Sequence, residues 1–161
     1  MLSQTMTAAD LLRGTRVLLD SNVLIDLSAS DPRRTTLVKQ VLSLLGARDV
    51  VMCITFQNAS EFWNTATRPL QSNGLGLSTA ATAELLRDFE VKTTLLVDPQ
   101  TVYSYGRDLI ERYAVRGKQV HDAKLAASML AHNLDLLLTS NKSDFTRFRE
   151  IVVIQPEEIS L

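Results

Sequence analysis

The sequence predicts a single-domain three-layer α/β/α sandwich built on a mostly parallel five-stranded sheet. Short apolar runs typical of buried strands alternate along the chain with segments whose apolar residues recur at helical spacing. This alternation favours parallel strands joined by helical crossovers, with helices on both faces of the sheet. The chain has 161 residues, 45% of them apolar, which is enough to enclose one sizeable core.

The first predicted strand covers residues 16–20 and ends at an acidic residue. Val17, Leu18 and Leu19 form a short apolar run, and Asp20 follows directly. A charged carboxylate at the edge of a core needs hydrogen-bond donors or a metal ion, since burying it unpaired is costly. Asp20 therefore either caps the turn or helix that follows or belongs to a functional site.

Residues 1–15 are predicted to form an N-terminal extension to a domain that spans 16–157. The segment starting at Thr7 is similar to a capping box, and its two leucines followed by Gly14 favour a short helix. No basic start followed by an apolar block is present, so a secretory signal is not expected. No apolar run is long enough to span a membrane, and the single cysteine, Cys53, suits a reducing cytoplasm.

Four further strands and five helices are predicted after the first strand. Capping residues, apolar residues at helical spacing and Gly or Pro punctuation mark the helices. They are expected at 32–46, 56–67, after Ser78, from Asp98-Pro99 to 113, and at 121–132. The strands are expected at 50–54, 93–97, 135–139 and 151–154.

Four acidic residues are placed by this topology near one edge of the sheet. Asp20 ends the first strand, Glu61 lies about two turns into the helix after the second, and Asp144 follows the fourth. Asp122 opens the helix that precedes the fourth strand. Because the carboxyl ends of parallel strands share one edge, these acids are expected to converge. Such a group cannot stay fully ionised without a compensating positive charge.

The helical periodicity leaves the orientation of some acids open. Asp122 shares the inward face of its helix with apolar residues, so it either caps that helix or binds a cation. Glu61 lies opposite the apolar face of its helix and points either into bulk water or into a cleft. Asp26 also follows the first strand, but its position indicates a charge on the helix surface.

A set of carboxylates without cysteine or paired histidine ligands is suited to Mg²⁺ or Mn²⁺ rather than zinc. The two histidines are eleven residues apart and Cys53 lies in an apolar run, so no zinc site is evident.

These motifs resemble those of the PIN-domain family, in particular the small VapC-like toxins of type II toxin–antitoxin pairs. The resemblance covers nearly the whole chain, from about Val17 to Pro156. It is carried by Asp20 with Asn22, by Glu61 six residues past Thr55, by Asp122 in His-Asp-Ala-Lys-Leu-Ala-Ala, and by Thr139, Asn141 and Asp144.

The resemblance implies a sheet in strand order 3-2-1-4-5 and Mg²⁺- or Mn²⁺-dependent cleavage of single-stranded or structured RNA. Asp20 and Asp122 would be the main metal ligands, and Asp144 and Glu61 would complete the acidic site. Asn22 belongs to the first motif, and Thr139 and Asn141 would shape the loop and orient water or phosphate. The resemblance further implies a cognate antitoxin and a homodimer.

The net charge of −1 gives no indication of a nucleic-acid partner, but its distribution is uneven. Residues 107–149 contain eight basic and five acidic residues, which favours either a phosphate-binding surface or an ordinary mixed-charge surface. The candidates for phosphate contacts are Lys118, Lys124, Lys142, Arg147 and Arg149.

Two other functions are compatible with the same pattern. A catalytically inactive module on this fold would bind RNA or protein without metal-dependent turnover. A metal-dependent phosphatase would need a second Asp two residues after Asp20, and that position is Asn22.

Overall fold

The computed structural model describes residues 6–7 and 13–160 of the chain. The strands are β1 (Met6–Thr7), β2 (Arg16–Leu19), β3 (Val51–Thr55), β4 (Thr94–Leu96), β5 (Leu136–Leu138), β6 (Val152–Ile154) and β7 (Ile159–Ser160). The helices are α1 (Ser21–Ser28), α2 (Pro32–Ala47), α3 (Phe56–Thr67), α4 (Thr79–Lys92), α5 (Val102–Arg112) and α6 (Val120–Ala131).

The main sheet has the strand order β4-β3-β2-β5-β6, and every neighbouring pair in it is parallel. The central strand is β2, whose Leu18 lies opposite Cys53 of β3 on one side and Leu137 of β5 on the other. This arrangement confirms the predicted order 3-2-1-4-5. It also puts the carboxyl ends of all five strands along one edge, where Asp20 follows the central strand.

The core is divided by the sheet into two apolar layers, as the alternation of side chains along a strand requires. Val17 and Leu19 pack with α1, α2, α3 and α4 on one face, whereas Leu18 packs with α5 and α6 on the other. Leu137 of β5 faces the same side as Leu18. The predicted three-layer α/β/α architecture is therefore confirmed.

The helices differ from the prediction at three places. The run after Asp20 forms the full helix α1, which the sequence indicated only as a turn or helix start. Asp98 does not cap α5, since its Oδ1 accepts a hydrogen bond from Ser128 Oγ of α6 at 2.7 Å. α2 continues past Gly46 to Ala47, and the left-handed turn falls at Asp49 with φ of 54°.

A second, two-stranded sheet was not predicted. β1 pairs in parallel with β7, with Met6 opposite Ile159. Thr7, the predicted start of a capping box, lies in β1, and the expected helical turns at 8–12 lie outside the described residues. Pairing between residues that are 153 positions apart leaves no local periodicity from which it could be recognised.

Two expectations from composition can be compared directly with the structure. Cys53 is fully buried in β3, and burial raises the pKa of its thiol. Of the helices in the described part of the chain, not one combines the length and the apolar character needed to cross a membrane.

Candidate functional site

Asp20 lies between β2 and α1 at the carboxyl end of the central strand, where it is only 5% exposed. Its Oδ1 accepts a hydrogen bond from the main-chain N–H of Ser21 at 2.7 Å, so the side chain caps α1. Its Oδ2 accepts hydrogen bonds from Thr139 Oγ1 at 2.8 Å and Asn22 Nδ2 at 3.0 Å. Asp20 thus caps a helix and is also held in one orientation by neighbours from two segments.

Asn22 and Thr139 connect the segments that follow β2 and β5. Asn22 Oδ1 accepts from the main-chain N–H of Ser140 at 2.9 Å, while its Nδ2 also donates to Thr139 Oγ1 at 3.0 Å. Thr139 is fully buried, and its Oγ1 accepts from the main-chain N–H of Asn141 at 3.0 Å. Because both strands are parallel neighbours, their exits meet at one point of the sheet edge.

Glu61 faces this same edge, which decides between the two orientations that its helix allowed. Its Oε2 accepts a hydrogen bond from Ser21 Oγ at 2.7 Å, and its Oε1 accepts one from Gln57 Nε2 at 3.0 Å. Gln57 Nε2 also donates to the main-chain carbonyl of His121 at 2.8 Å. Glu61 is therefore fixed between α1 and the start of α6 rather than pointing into bulk water.

Asp122 lies half-buried in the first turn of α6 and does not cap that helix. Within residues 13–159, its carboxylate forms neither a hydrogen bond nor an ion pair. Asp144 ends the short 3₁₀ helix Lys142–Asp144 and is exposed. Its main-chain N–H donates to the carbonyl of Asn141 at 3.1 Å, and the Asn141 side chain is exposed.

The electrostatics show that the four carboxylates act on one another. Partial burial and the negative charges of Asp144, Asp20 and Glu61 together raise the pKa of Asp122 to about 6, while Arg147 opposes them. Burial also raises the pKa of Asp20, although hydrogen bonds from Thr139 and Ser21 act against this increase. The acids that the sequence placed at one edge thus share one negative field.

The basic residues near the edge are less available than the sequence suggested. Lys142 pairs with Glu158 at 2.6 Å, and Lys124 lies 3.8 Å from Asp98. Arg147 donates to Gln119 Oε1 at 3.0 Å, and its positive charge acts on Asp122. Lys118 and Arg149 remain exposed, with no ion pair among the described side chains.

The donor set at this edge is suited to a hard divalent cation. In the described residues no group of three His, Cys, Asp or Glu side chains is close enough to hold a metal ion as it stands. Mg²⁺, however, usually keeps several waters and takes only one or two carboxylates from the protein. Asp20 and Asp122 would supply those two, since both are carboxylates without a cationic partner among the side chains described.

Asp26 is not the helix-surface charge that its position indicated. Its side chain is only 19% exposed and its Oδ2 pairs with Arg34 Nε at 2.8 Å. The same oxygen accepts a hydrogen bond from Ser140 Oγ at 2.6 Å. Sequence reasoning missed this contact because residues 26, 34 and 140 share no local periodicity.

Gln57 and Ser140 are the contacts of the site that the sequence did not single out. Gln57 precedes Glu61 by four residues on α3, so helical spacing puts both side chains on one face. That spacing is the signal from which Gln57 could have been found. No such signal exists for Ser140, whose partners Asp26 and Arg34 lie on α1 and α2.

The family model for the PIN domain matches residues 17–151, and the chain therefore belongs to the PIN domain family. No curated protein matches the sequence. The family assignment confirms the resemblance that the motifs indicated.

Several solved structures have a similar fold. VapBC2 from Rickettsia felis, bound to a promoter DNA fragment, has a TM-score of 0.67 and 16% identity, covering 88% of this chain and 98% of that chain. DNA-bound VapBC from Salmonella typhimurium has a TM-score of 0.66 and 17% identity over 91% and 99%. VapC20 from Mycobacterium tuberculosis, described as a sarcin-ricin loop cleaving toxin, has a TM-score of 0.56 and 14% identity over 75% and 86%.

Proposed function

We propose that this protein is a Mg²⁺- or Mn²⁺-dependent endoribonuclease and the toxin of a toxin–antitoxin pair. The observation that carries the proposal is the half-buried Asp122 carboxylate, whose pKa is raised to about 6 by burial together with the negative charges of Asp144, Asp20 and Glu61. The positive charge of Arg147 opposes this increase, but Asp122 forms no ion pair with a described side chain, so a bound cation would compensate the remaining negative charge. The similarity to an RNA-cleaving toxin from Mycobacterium tuberculosis is consistent with this chemistry.

The protein's own residues would have distinct roles in this reaction. Asp20 and Asp122 would hold a divalent cation, which supplies positive charge to the scissile phosphate and makes a water molecule more acidic. Asn22 and Thr139 keep the Asp20 carboxylate in place through their hydrogen bonds to Oδ2. Glu61, fixed by Ser21, would accept a proton from the attacking water or orient it.

Asp144 and Asn141 would act from the exposed loop after β5. Asp144 adds negative charge opposite Asp122, and the Asn141 side chain is free to donate to phosphate or water. Lys118, Arg147 and Arg149 are the proposed phosphate contacts, since Lys124 and Lys142 already pair with acids. Contacts of this kind bring salt-sensitive affinity and little choice of sequence.

We further propose that the antitoxin docks on the opposite side of the sheet from α5 and α6. An apolar groove of about 520 Å³ lies there between α2 and α4, with Leu42 and Leu85 among its lining residues. Lys39, Lys92 and Asp88 also line it, and the two lysines form no ion pair among the described residues, so an apolar segment with flanking acids placed against the lysines would be complementary. Similarity to VapBC complexes supports a protein occupant.

The docking site is tested by Leu85→Asp, which should abolish co-purification of the protein with a co-expressed antitoxin. Unchanged co-purification would contradict this docking site.

We also propose that the protein is located in the cytoplasm and forms a homodimer there. The edge strand β4 and the segment after it expose Leu95, Val97 and Tyr103, which are 54%, 76% and 75% accessible. These exposed apolar side chains support the proposal, since self-association would remove them from water. The molar mass in solution, measured by light scattering, should be twice that of the chain and should fall to one chain for Val97→Asp. A monomeric parent would contradict the dimer.

The nuclease proposal is tested by incubating the purified chain with single-stranded and structured RNA in Mg²⁺ or Mn²⁺. Asp20→Asn and Asp122→Asn should each lower the cleavage rate by more than about 100-fold. Replacing a residue that only supports a metal ligand typically lowers activity by about 10–100-fold, and replacing the ligand itself should lower it further. Asp108→Asn is the matched control, since this exposed acid of α5 pairs with Arg112 and takes no part in the hydrogen bonds of the site.

Three outcomes of this experiment are informative. Cleavage that is unchanged in both site variants would reject the proposed site. Metal-independent RNA binding without turnover would favour the inactive binding module. Hydrolysis of a small phosphomonoester, together with no RNA cleavage, would favour the phosphatase.

A further inference from the structure

Arg34, Asp26 and Ser140 form a closed ring of hydrogen bonds beside the candidate site. Arg34 Nε donates to Asp26 Oδ2 at 2.8 Å, and Arg34 Nη2 donates to Ser140 Oγ at 2.5 Å. Ser140 Oγ in turn donates to Asp26 Oδ2 at 2.6 Å. The ring therefore joins α1, α2 and the segment after β5 through one hydroxyl group.

The ring is shielded from solvent and supported on its outer side. The side chains of Arg34 and Asp26 are 20% and 19% exposed. Arg34 Nη1 also pairs with Glu157, and Gln155 Nε2 donates to the main-chain carbonyl of Ser140 at 3.1 Å. Charge-assisted hydrogen bonds in such partly buried positions are strong, so Ser140 is held firmly.

The position of Ser140 decides the orientation of the Asn22 carboxamide. The main-chain N–H of Ser140 donates to Asn22 Oδ1 at 2.9 Å, which obliges the NH₂ group to face the other way. That NH₂ group then donates to Asp20 Oδ2 at 3.0 Å and to Thr139 Oγ1 at 3.0 Å. A continuous path of hydrogen bonds thus runs from Arg34 through Asp26, Ser140 and Asn22 to Asp20.

We propose that Asp26, Arg34 and Ser140 are positioning residues that fix the Asn22 carboxamide and thereby the Asp20 carboxylate. They touch neither the other three acids nor, in the proposed function, the substrate. Their effect is to keep both lone pairs of Asp20 Oδ2 occupied by the Asn22 and Thr139 donors. The carboxylate then presents its remaining lone pairs in a fixed direction.

The first test is independent of any metal or RNA and uses the full chain labelled with ¹⁵N. The side-chain amide of Asn22, assigned by its absence in Asn22→Asp, should show slow hydrogen exchange in the parent protein because both ends of the carboxamide are bonded. Asp26→Asn and Ser140→Ala should increase that exchange rate by about tenfold, which corresponds to the loss of one net hydrogen bond.

A second test measures Mn²⁺ binding directly from the electron paramagnetic resonance signal of the free ion. This arm rests on the proposed metal-dependent function. Asp26→Asn and Ser140→Ala should each weaken Mn²⁺ binding by about tenfold, the low end of the effect expected for residues that support a ligand. Ser140→Thr keeps the hydroxyl group and should restore both the slow exchange and the Mn²⁺ affinity.

A matched control and a conservative variant separate positioning from general destabilisation. Asp108→Asn removes the same charge from a different Asp–Arg pair, that of Asp108 with Arg112, and should leave both measurements unchanged. Ser140→Ala keeps the Asp26–Arg34 pair and loses only the hydroxyl, so it should stay folded even where Asp26→Asn is destabilised.

The positioning proposal and the proposed metal-dependent function are contradicted by different results. If the Asn22 amide exchanges as slowly in Asp26→Asn and Ser140→Ala as in the parent, the positioning proposal is overturned whatever the metal result. If the parent binds no Mn²⁺ while the amide responds as expected, the proposed metal-dependent function fails and the positioning path stands.

Discussion

Two groups of acids differ in whether a cationic side chain compensates them. Asp26 and Glu157 pair with Arg34, and Glu158 pairs with Lys142. The four acids of the candidate site, Asp20, Glu61, Asp122 and Asp144, form no ion pair with a described side chain.

This difference in pairing indicates that the two groups of acids have different roles. Removing the arginine from a pair such as Asp26–Arg34 destabilises the folded chain, because it leaves a partly buried carboxylate without its compensating charge. An ionised Asp122 close to other carboxylates raises the free energy of the folded chain at neutral pH, and that cost disappears when a cation binds. We therefore expect substitutions of Arg34 and of Asp122 to change stability in opposite directions.

The largest expected effect is on the paired side. Arg34→Met should lower the free energy of unfolding by about 2 kcal/mol, because Asp26 and Glu157 are left without their cation in a partly buried place. Urea unfolding followed by circular dichroism measures this change. A stability equal to that of the parent would show that the ring contributes no net stability.

Metal removal gives the next effect, on the unpaired side. At free Mn²⁺ ten times above its dissociation constant, the parent should gain about 1.4 kcal/mol of stability over the protein in EDTA. Asp122→Asn should show almost no gain, whereas Arg34→Met should still respond, though less strongly. Equal Mn²⁺ stabilisation of the parent and of Asp122→Asn would place the metal elsewhere.

A smaller effect of opposite sign is expected from Asp122→Asn without metal. The pKa of Asp122 is raised from 3.8 to about 6, so the folded chain holds this proton more tightly than the unfolded chain does. The stability of the parent therefore falls as pH rises between about 4 and 6. Above that range Asp122→Asn should be more stable than the parent by about 1 kcal/mol, after allowance for solvent screening.

The pH dependence supplies the check on that prediction. The difference in melting temperature between Asp122→Asn and the parent should be largest near pH 7.5 and should vanish near pH 4, where both side chains are uncharged. A difference of the same size at both pH values would mean that packing, and not charge, is responsible.

The smallest effect is expected for an exposed pair that belongs to neither group. Arg107 and Glu111 form an i, i+4 pair on α5 with both side chains more than 60% exposed. Arg107→Gln should change the free energy of unfolding by less than about 0.5 kcal/mol, since solvent screens such pairs. A larger decrease in the free energy of unfolding, measured by the same urea titration, would show that the exposure of an ion pair does not predict its contribution to stability.

Much of the fold and part of the site followed from the sequence because their signals are local. The strand before Asp20 and the caps at Asp31 and Thr55 depend on neighbouring residues, and the structure shows all three. The orientation of Glu61 was open, because periodicity defines a face and not what lies opposite it. Asp26 was assigned to the surface, because its partners come from residues 34 and 140.

The sequence by itself determined the alternation of strands and helices, the parallel sheet and the order in which the acids appear. These properties depend on apolar periodicity, capping and the handedness of crossovers, which act over one or a few turns of chain. Only the tertiary structure determined which acidic side chains pair with an arginine or lysine and which lie near other acids. That outcome depends on side chains more than 100 residues apart meeting at one sheet edge, where burial strengthens every charge interaction.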